Sequence, residues 1–372
     1  MNKSIFSLIL ISLIMSTTDA FSQKTDVNHV EWKTAAQLQN PDGSLSLGFA
    51  GAINGVSNDV LLVTGGANFP DKMPWEGGKK SYSKTIHVLE KCGDKYSWIK
   101  VVKTELPESI AYCGTTTTDL GVVYVGGENE NGLSNKSYIL KWNAAKKEVE
   151  IKSLPNFPFA IANIALTQID NVVYAVGGDE ATKSSDYFAS LDLNDTNSEW
   201  KALPKLPLAL ANSVVIAQKG QNGIGIYVVG GRTKTASGIS DLHHTTFVFD
   251  VKTQQWKNAA AISDGKNTTN FSAGAGVAVG KHSIVIVGGD NGAIFHQIET
   301  YLSQIAQAES PEQKTELIAK KNKLVTNHPG FYSGILLYNT LTDQWKKIGE
   351  LPFLPHVTTP AVLWDKKIIL SN

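Results

Sequence analysis

The sequence predicts an all-β fold, a six-bladed propeller carrying a helical insertion and an incomplete last blade. Three observations predict it. A short apolar run ending in a glycine pair occurs five times, as in Ile226–Thr233, Ile-Tyr-Val-Val-Gly-Gly-Arg-Thr. The second glycines fall at Gly66, Gly127, Gly178, Gly231 and Gly289, in steps of 61, 51, 53 and 58 residues. Periods near 50 belong to propellers, solenoids or arrays. After each pair come a polar loop and a β-rich run, and in four units a tryptophan follows: Trp98, Trp200, Trp256 and Trp345.

Each unit therefore reads as four strands: a small-residue strand, a strand running into the glycines, a strand ending near Asp or Asn, and a tryptophan strand. Inner strands of neighbouring blades crowd the axis and favour small residues, as in Ala273–Val277. The glycine pair permits positive φ and close backbone approach. The pattern resembles the kelch repeat. Complete units start near Leu47, Glu108, Phe159, Leu208 and Phe271. A sixth blade is expected from both termini, with Val30–Thr34 as its outer strand and Thr358–Leu363 and Lys366–Leu370 as its inner pair, because closing the ring removes exposed edges. Its third strand has no counterpart before Asn372, so the sequence is read as cut short inside that blade.

A length of 372 residues would accommodate two domains, but the repeats join residues 23–372 into one ring. The balance of 34 basic and 34 acidic residues gives no net field for nucleic acid or an anionic membrane surface. Lys3, the apolar run Ile5–Met15 and Ala20-Phe-Ser read as a signal peptide over residues 1–22, cleaved near Ser22. The run is short for a membrane anchor, so the expected location is the periplasm. Cys92 and Cys113 are expected to stay unpaired, with no metal-ligand neighbour at useful spacing.

One segment breaks the rhythm. Residues 294–328, rich in Gln, Glu, Lys and Ala, carry Ile and Leu at helical spacing, with Ser310 and Pro311 as an entry signal. This helical insertion is expected either as a lid over the channel mouth or as packing outside a blade.

The run from Phe49 through Pro70, with its Ala-Asn-Phe-Pro ending, and the later Gly-Gly-Lys-Lys-Ser-Tyr-Ser of Gly77–Ser83 resemble the N-acetylneuraminate epimerases, or sialic acid mutarotases. The order of the units resembles the cyclically permuted branch of that family. The resemblance implies an exported six-bladed propeller that interconverts the α and β anomers of N-acetylneuraminate. It also places the family's catalytic glutamate and a nearby arginine in a loop that would follow Asn372.

Anomer exchange opens the pyranose at its hemiketal carbon. A base takes the anomeric hydroxyl proton while an acid protonates the ring oxygen. The substrate carboxylate calls for a cation, best an arginine. Neither metal nor cofactor is needed, and His243-His244 lacks carboxylate partners at ligand spacing. The loops after the glycine pairs supply the candidates: Glu128 as acid/base catalyst, and Arg232, Asn68, Asn129, Asp290 and Asn291 as substrate contacts. Lys79 and Lys80 read as a solvated loop, and His87 as strand packing. Two other classes fit the scaffold. One is a non-enzymatic module binding a glycan or protein, which a channel lined with neutral polar groups would favour. The other is a copper-radical oxidase, for which Tyr112-Cys113 lacks a fitting histidine set.

Overall fold

The runs of Val, Ile and Tyr ahead of each glycine pair are stiff, β-branched or aromatic, and they pair as strands. A computed structural model describes residue 27, residues 30–40 and residues 42–371; the expected signal peptide lies outside the described residues. Five four-stranded antiparallel sheets follow one another along the chain. The first is Ile53–Ser57, Val60–Thr64, Ile86–Cys92 and Lys95–Trp98. The second is Gly114–Thr118, Gly121–Val125, Ser137–Asn143 and Glu148–Leu154. The third begins at Ala165–Ile169, the fourth at Val214–Gly220 and the fifth at Ala275–Val279. The second strand of each is mostly buried, and wholly so at Val60–Thr64 and Ser283–Val287.

The blade count departs from expectation: among the described residues there are five four-stranded blades, not six. The sixth place in the ring is held by a two-stranded sheet, Ala361–Trp364 with Lys367–Leu370. Residues 30–34 form no strand. With no third strand described beside them, they have no ladder to join. Trp32 packs instead against the fifth blade's core and edge-on to Phe353, with ring centroids 5.7 Å apart.

Hydrophobic clusters fill the wedges between successive blades, and a last one joins Trp364 of the two-stranded sheet to Leu61, Val63 and Leu89 of the first blade. Trp200, Trp256 and Trp345 donate their indole N–H to the carbonyls of Pro155, Pro204 and Ala260 on the preceding blade, at 3.0, 2.8 and 3.0 Å. Each thus adds a hydrogen bond to the apolar area that it buries.

On the axis the ring is closed by hydrogen bonds. The amides of Tyr112, Asn163, Asn212, Ala273, Thr358 and Gly51 each donate to the carbonyl of the equivalent residue one blade earlier, at 2.7–3.1 Å. The circuit runs back to its start, so no amide or carbonyl in it is left unpaired. All six residues lie in the left-handed region, with φ between 53° and 62°.

The glycine pairs dock the blades at the same level. Gly231 donates its amide to the carbonyl of Phe271 at 2.7 Å. Gly230, at φ +60°, lies so close to that carbonyl that a Cβ would collide with it. Gly230→Ala is therefore expected to cost about 2 kcal/mol or more, combining a clash with a backbone conformation unfavourable to alanine. Urea denaturation measures it; a loss below about 0.5 kcal/mol, the range of an ordinary surface change, would show that the close approach is unimportant.

The insertion forms two helices, α1 (Phe295–Gln307) and α2 (Pro311–Thr326), with Ser310 capping α2 by accepting the Gln313 amide at 3.1 Å. Among the described residues, no helix is long and apolar enough to cross a membrane.

Candidate functional site

A cavity of about 760 Å³ stands over the hydrogen-bonded circuit. Its floor is Tyr112, Asn163, Asn212, Ala273 and Thr358. Phe295, Ile298, Val325 and His328 cover it from the insertion, so the helices sit at the channel mouth rather than outside a blade.

The walls follow from strand alternation. The residue directly after each glycine pair makes an isolated bridge to the residue before a member of the circuit: Ala67 to Ala50, Glu128 to Ala111, Asp179 to Ala162, Arg232 to Ala211 and Asp290 to Ser272. Glu128, Arg232 and Asp290 line the cavity. Side chains of an extended segment alternate faces, so the next residue turns away. Asn68 accordingly donates to the Gly48 carbonyl at 2.9 Å and Asn129 to that of Ser109 at 3.0 Å. Asn291 accepts the Ala293 amide at 3.1 Å and borders a separate groove. These three predicted contacts do not reach the cavity. They tie loops down.

Arg232 is not a free loop cation. Its Nη2 donates to Asp179 at 2.5 Å, and the buried Asp179 also accepts from Asn163 at 3.0 Å and Ser184 at 3.1 Å, with Lys234 3.6 Å away. The carboxylate fixes the guanidinium, whose remaining N–H donors are available to an anion.

Sequence reasoning passed over Lys80. Its Nζ lies 3.1 Å from Glu128 Oε1, which also accepts the Tyr82 hydroxyl at 2.9 Å. Burial works against the Lys80 charge, yet the facing Tyr112 and Glu128 raise its pKa above the usual lysine range. Burial pushes the Tyr112 phenol up, against the opposing charge of Lys80. The Lys-Lys-Ser-Tyr-Ser run held the signal: Lys80 and Tyr82 are two apart and so share a face.

His243 and His244 do not act together. His243 Nε2 pairs with Thr233 Oγ1 at 2.9 Å, and His244 Nδ1 with Asn270 at 3.3 Å. Both cysteines are free thiols.

This ring of converging charged loops has relatives. A family model described as N-acetylneuraminate epimerase matches residues 13–151 and 154–372. The chain belongs to the N-acetylneuraminate epimerase family. It is similar to proteins named N-acetylneuraminate epimerase from Vibrio cholerae, 40% identical over 129 residues covering 32% of each chain, and from Yersinia pestis, 27% identical over 226 residues covering 59% of this chain and 53% of the relative. Each match thus spans a third to about half of the curated relative's length. The solved "Structure of YjhT" matches with a TM-score of 0.57 at 14% identity, covering 87% of this chain and 90% of that one, a likeness of fold.

Asp290 carries a measurable consequence of that cavity. Burial raises its carboxyl pKa, opposed by the Gly292 amide and by His328. Because the folded value lies above the unfolded one, ionised Asp290 opposes folding. Asp290→Asn is therefore expected to raise the melting temperature at neutral pH. The gain grows as pH rises from the ordinary carboxylate range through the raised folded value, and it is absent below that range. A calorimetric pH series checks it; a gain equal at all pH values would refute the charge argument.

Proposed function

We propose that this protein interconverts the α and β anomers of N-acetylneuraminate by acid/base ring opening, on a kelch-type ring with six blade positions. The single observation that carries this reading is that Glu128 of the second blade and Arg232 of the fourth line one cavity. Arg232 takes the substrate carboxylate, oriented by Asp179 beneath it. Glu128 takes the anomeric proton: its Oε1 is engaged by Lys80 and Tyr82, leaving Oε2 for the sugar. Asp290 accepts from a hydroxyl on the facing side. The apolar cover from α1 and α2 keeps water from competing for these groups. Residues 1–22 direct export, and the enzyme acts in the periplasm.

Exchange spectroscopy by NMR on N-acetylneuraminate tests the reading. The anomer exchange rate is expected to rise in proportion to protein concentration. A rate equal to that of buffer alone would end the proposal.

A further inference from the structure

The six residues of the axial circuit share one backbone conformation but not one kind of side chain. Five are Gly51, Asn163, Asn212, Ala273 and Thr358, all small or short; the sixth is Tyr112, at φ 57°. Gly and Asn adopt that region readily, whereas a bulky aromatic there is an outlier, as the shorter, β-branched Thr358 also is. Such strain persists where surrounding structure enforces it, and here three contacts do. The Tyr112 amide donates to Gly51 at 2.8 Å, and its carbonyl accepts the Asn163 amide at 2.9 Å. Its ring lies over Gly51, where any Cβ would collide with it. The ring is thus spread across the cavity floor, facing Lys80 Nζ 4.9 Å from its centroid.

We propose that Tyr112 is the proton partner of Glu128 in ring opening, its phenol held at the sugar's ring oxygen by this left-handed turn. The inference rests on the mutarotase reading of the cavity. Glu128 removes the proton of the anomeric hydroxyl, that oxygen becomes the ketone, and the bond from the anomeric carbon to the ring oxygen breaks. The released ring oxygen takes the Tyr112 proton, leaving a phenolate. After rotation of the open chain, the same oxygen attacks the other face of the ketone. It returns its proton to Tyr112 while Glu128 reprotonates the new anomeric oxygen. No other reactant is needed, and both groups end as they began. Lys80, 3.1 Å from Glu128 and facing the Tyr112 ring, offsets negative charge on whichever partner carries it. Burial of the phenol keeps it protonated at neutral pH, the form a donor requires.

Tyr112→Phe isolates the hydroxyl, because it keeps the ring, its packing on Gly51 and its face toward Lys80. The variant is expected to melt with wild type and to lose about 10²-fold in kcat for anomer exchange, with KM little changed. Gly51→Ala, which displaces the ring but keeps the hydroxyl, is expected to lower kcat as well. Labelling tyrosine at Cζ adds a readout independent of turnover. The resonance absent from Tyr112→Phe should shift when N-acetylneuraminate is added to wild type. A Tyr112→Phe enzyme with wild-type kcat, or a Tyr112 resonance that ignores the sugar, overturns the inference and leaves the mutarotase reading intact. Wild-type exchange at the spontaneous rate overturns that reading, and the proton role with it.

Discussion

Asp179→Ala is expected to lower the free energy of unfolding by about 3–5 kcal/mol, the cost of breaking a buried ion pair from one side. Asp179 is 2% exposed and accepts from Arg232, Asn163 and Ser184, with Lys234 nearby. Alanine leaves the guanidinium of Arg232, whose side chain is only 14% exposed, without its counter-charge and strands two neutral donors. Asp179→Asn keeps an acceptor but not the charge, so it should cost less. Because the loss is mostly that of an uncompensated cation, the double change Asp179→Ala with Arg232→Met should recover part of it. Urea denaturation of all three variants measures this. A loss under about 1 kcal/mol for Asp179→Ala would place the pair among surface ion pairs and remove the argument that it fixes Arg232.

That dependence separates what the sequence displays from what it hides. The glycine pairs display the blades because their spacing is local. Each marks a strand end at which the backbone meets the next blade, as Gly231 meets Phe271. The outer strand expected at Val30–Thr34 is different in kind. Its composition is strand-like, but a strand needs a partner, and pairing is a property of the assembled ring. The candidate site divides the same way. Charged residues after glycine pairs were visible, and Glu128, Arg232 and Asp290 do face the axis. That Asn68, Asn129 and Asn291 turn away needed the bridge at the preceding residue, which sets the phase of the alternation. Tyr112 and Asn212 carry no motif at all. They reach the floor through left-handed turns that only the circuit of hydrogen bonds imposes.

Glu128→Gln should reduce the catalysed anomer exchange by about 10²–10⁴-fold, the usual contribution of a positioned general base. Glutamine keeps the shape of the side chain and an oxygen for Lys80 and Tyr82, so the cavity should hold its form. Stability should change by no more than about 0.5 kcal/mol, because the Lys80–Glu128 pair, at 34% and 29% side-chain exposure, is open enough for solvent to screen it. Substrate affinity should persist, since in the proposed reading Arg232 is the residue that takes the carboxylate; the loss therefore falls on kcat and kcat/KM alike, the mark of an interaction made in the transition state. The Lys80 pKa should fall as well, because the Glu128 hydrogen bond and charge are among the forces that raise it. Lysine-selective labelling against pH reads that shift directly and ties the kinetic loss to the carboxylate. Exchange by Glu128→Gln at the wild-type rate would remove Glu128 as the base and, with it, the claim that the second and fourth blades act on one sugar.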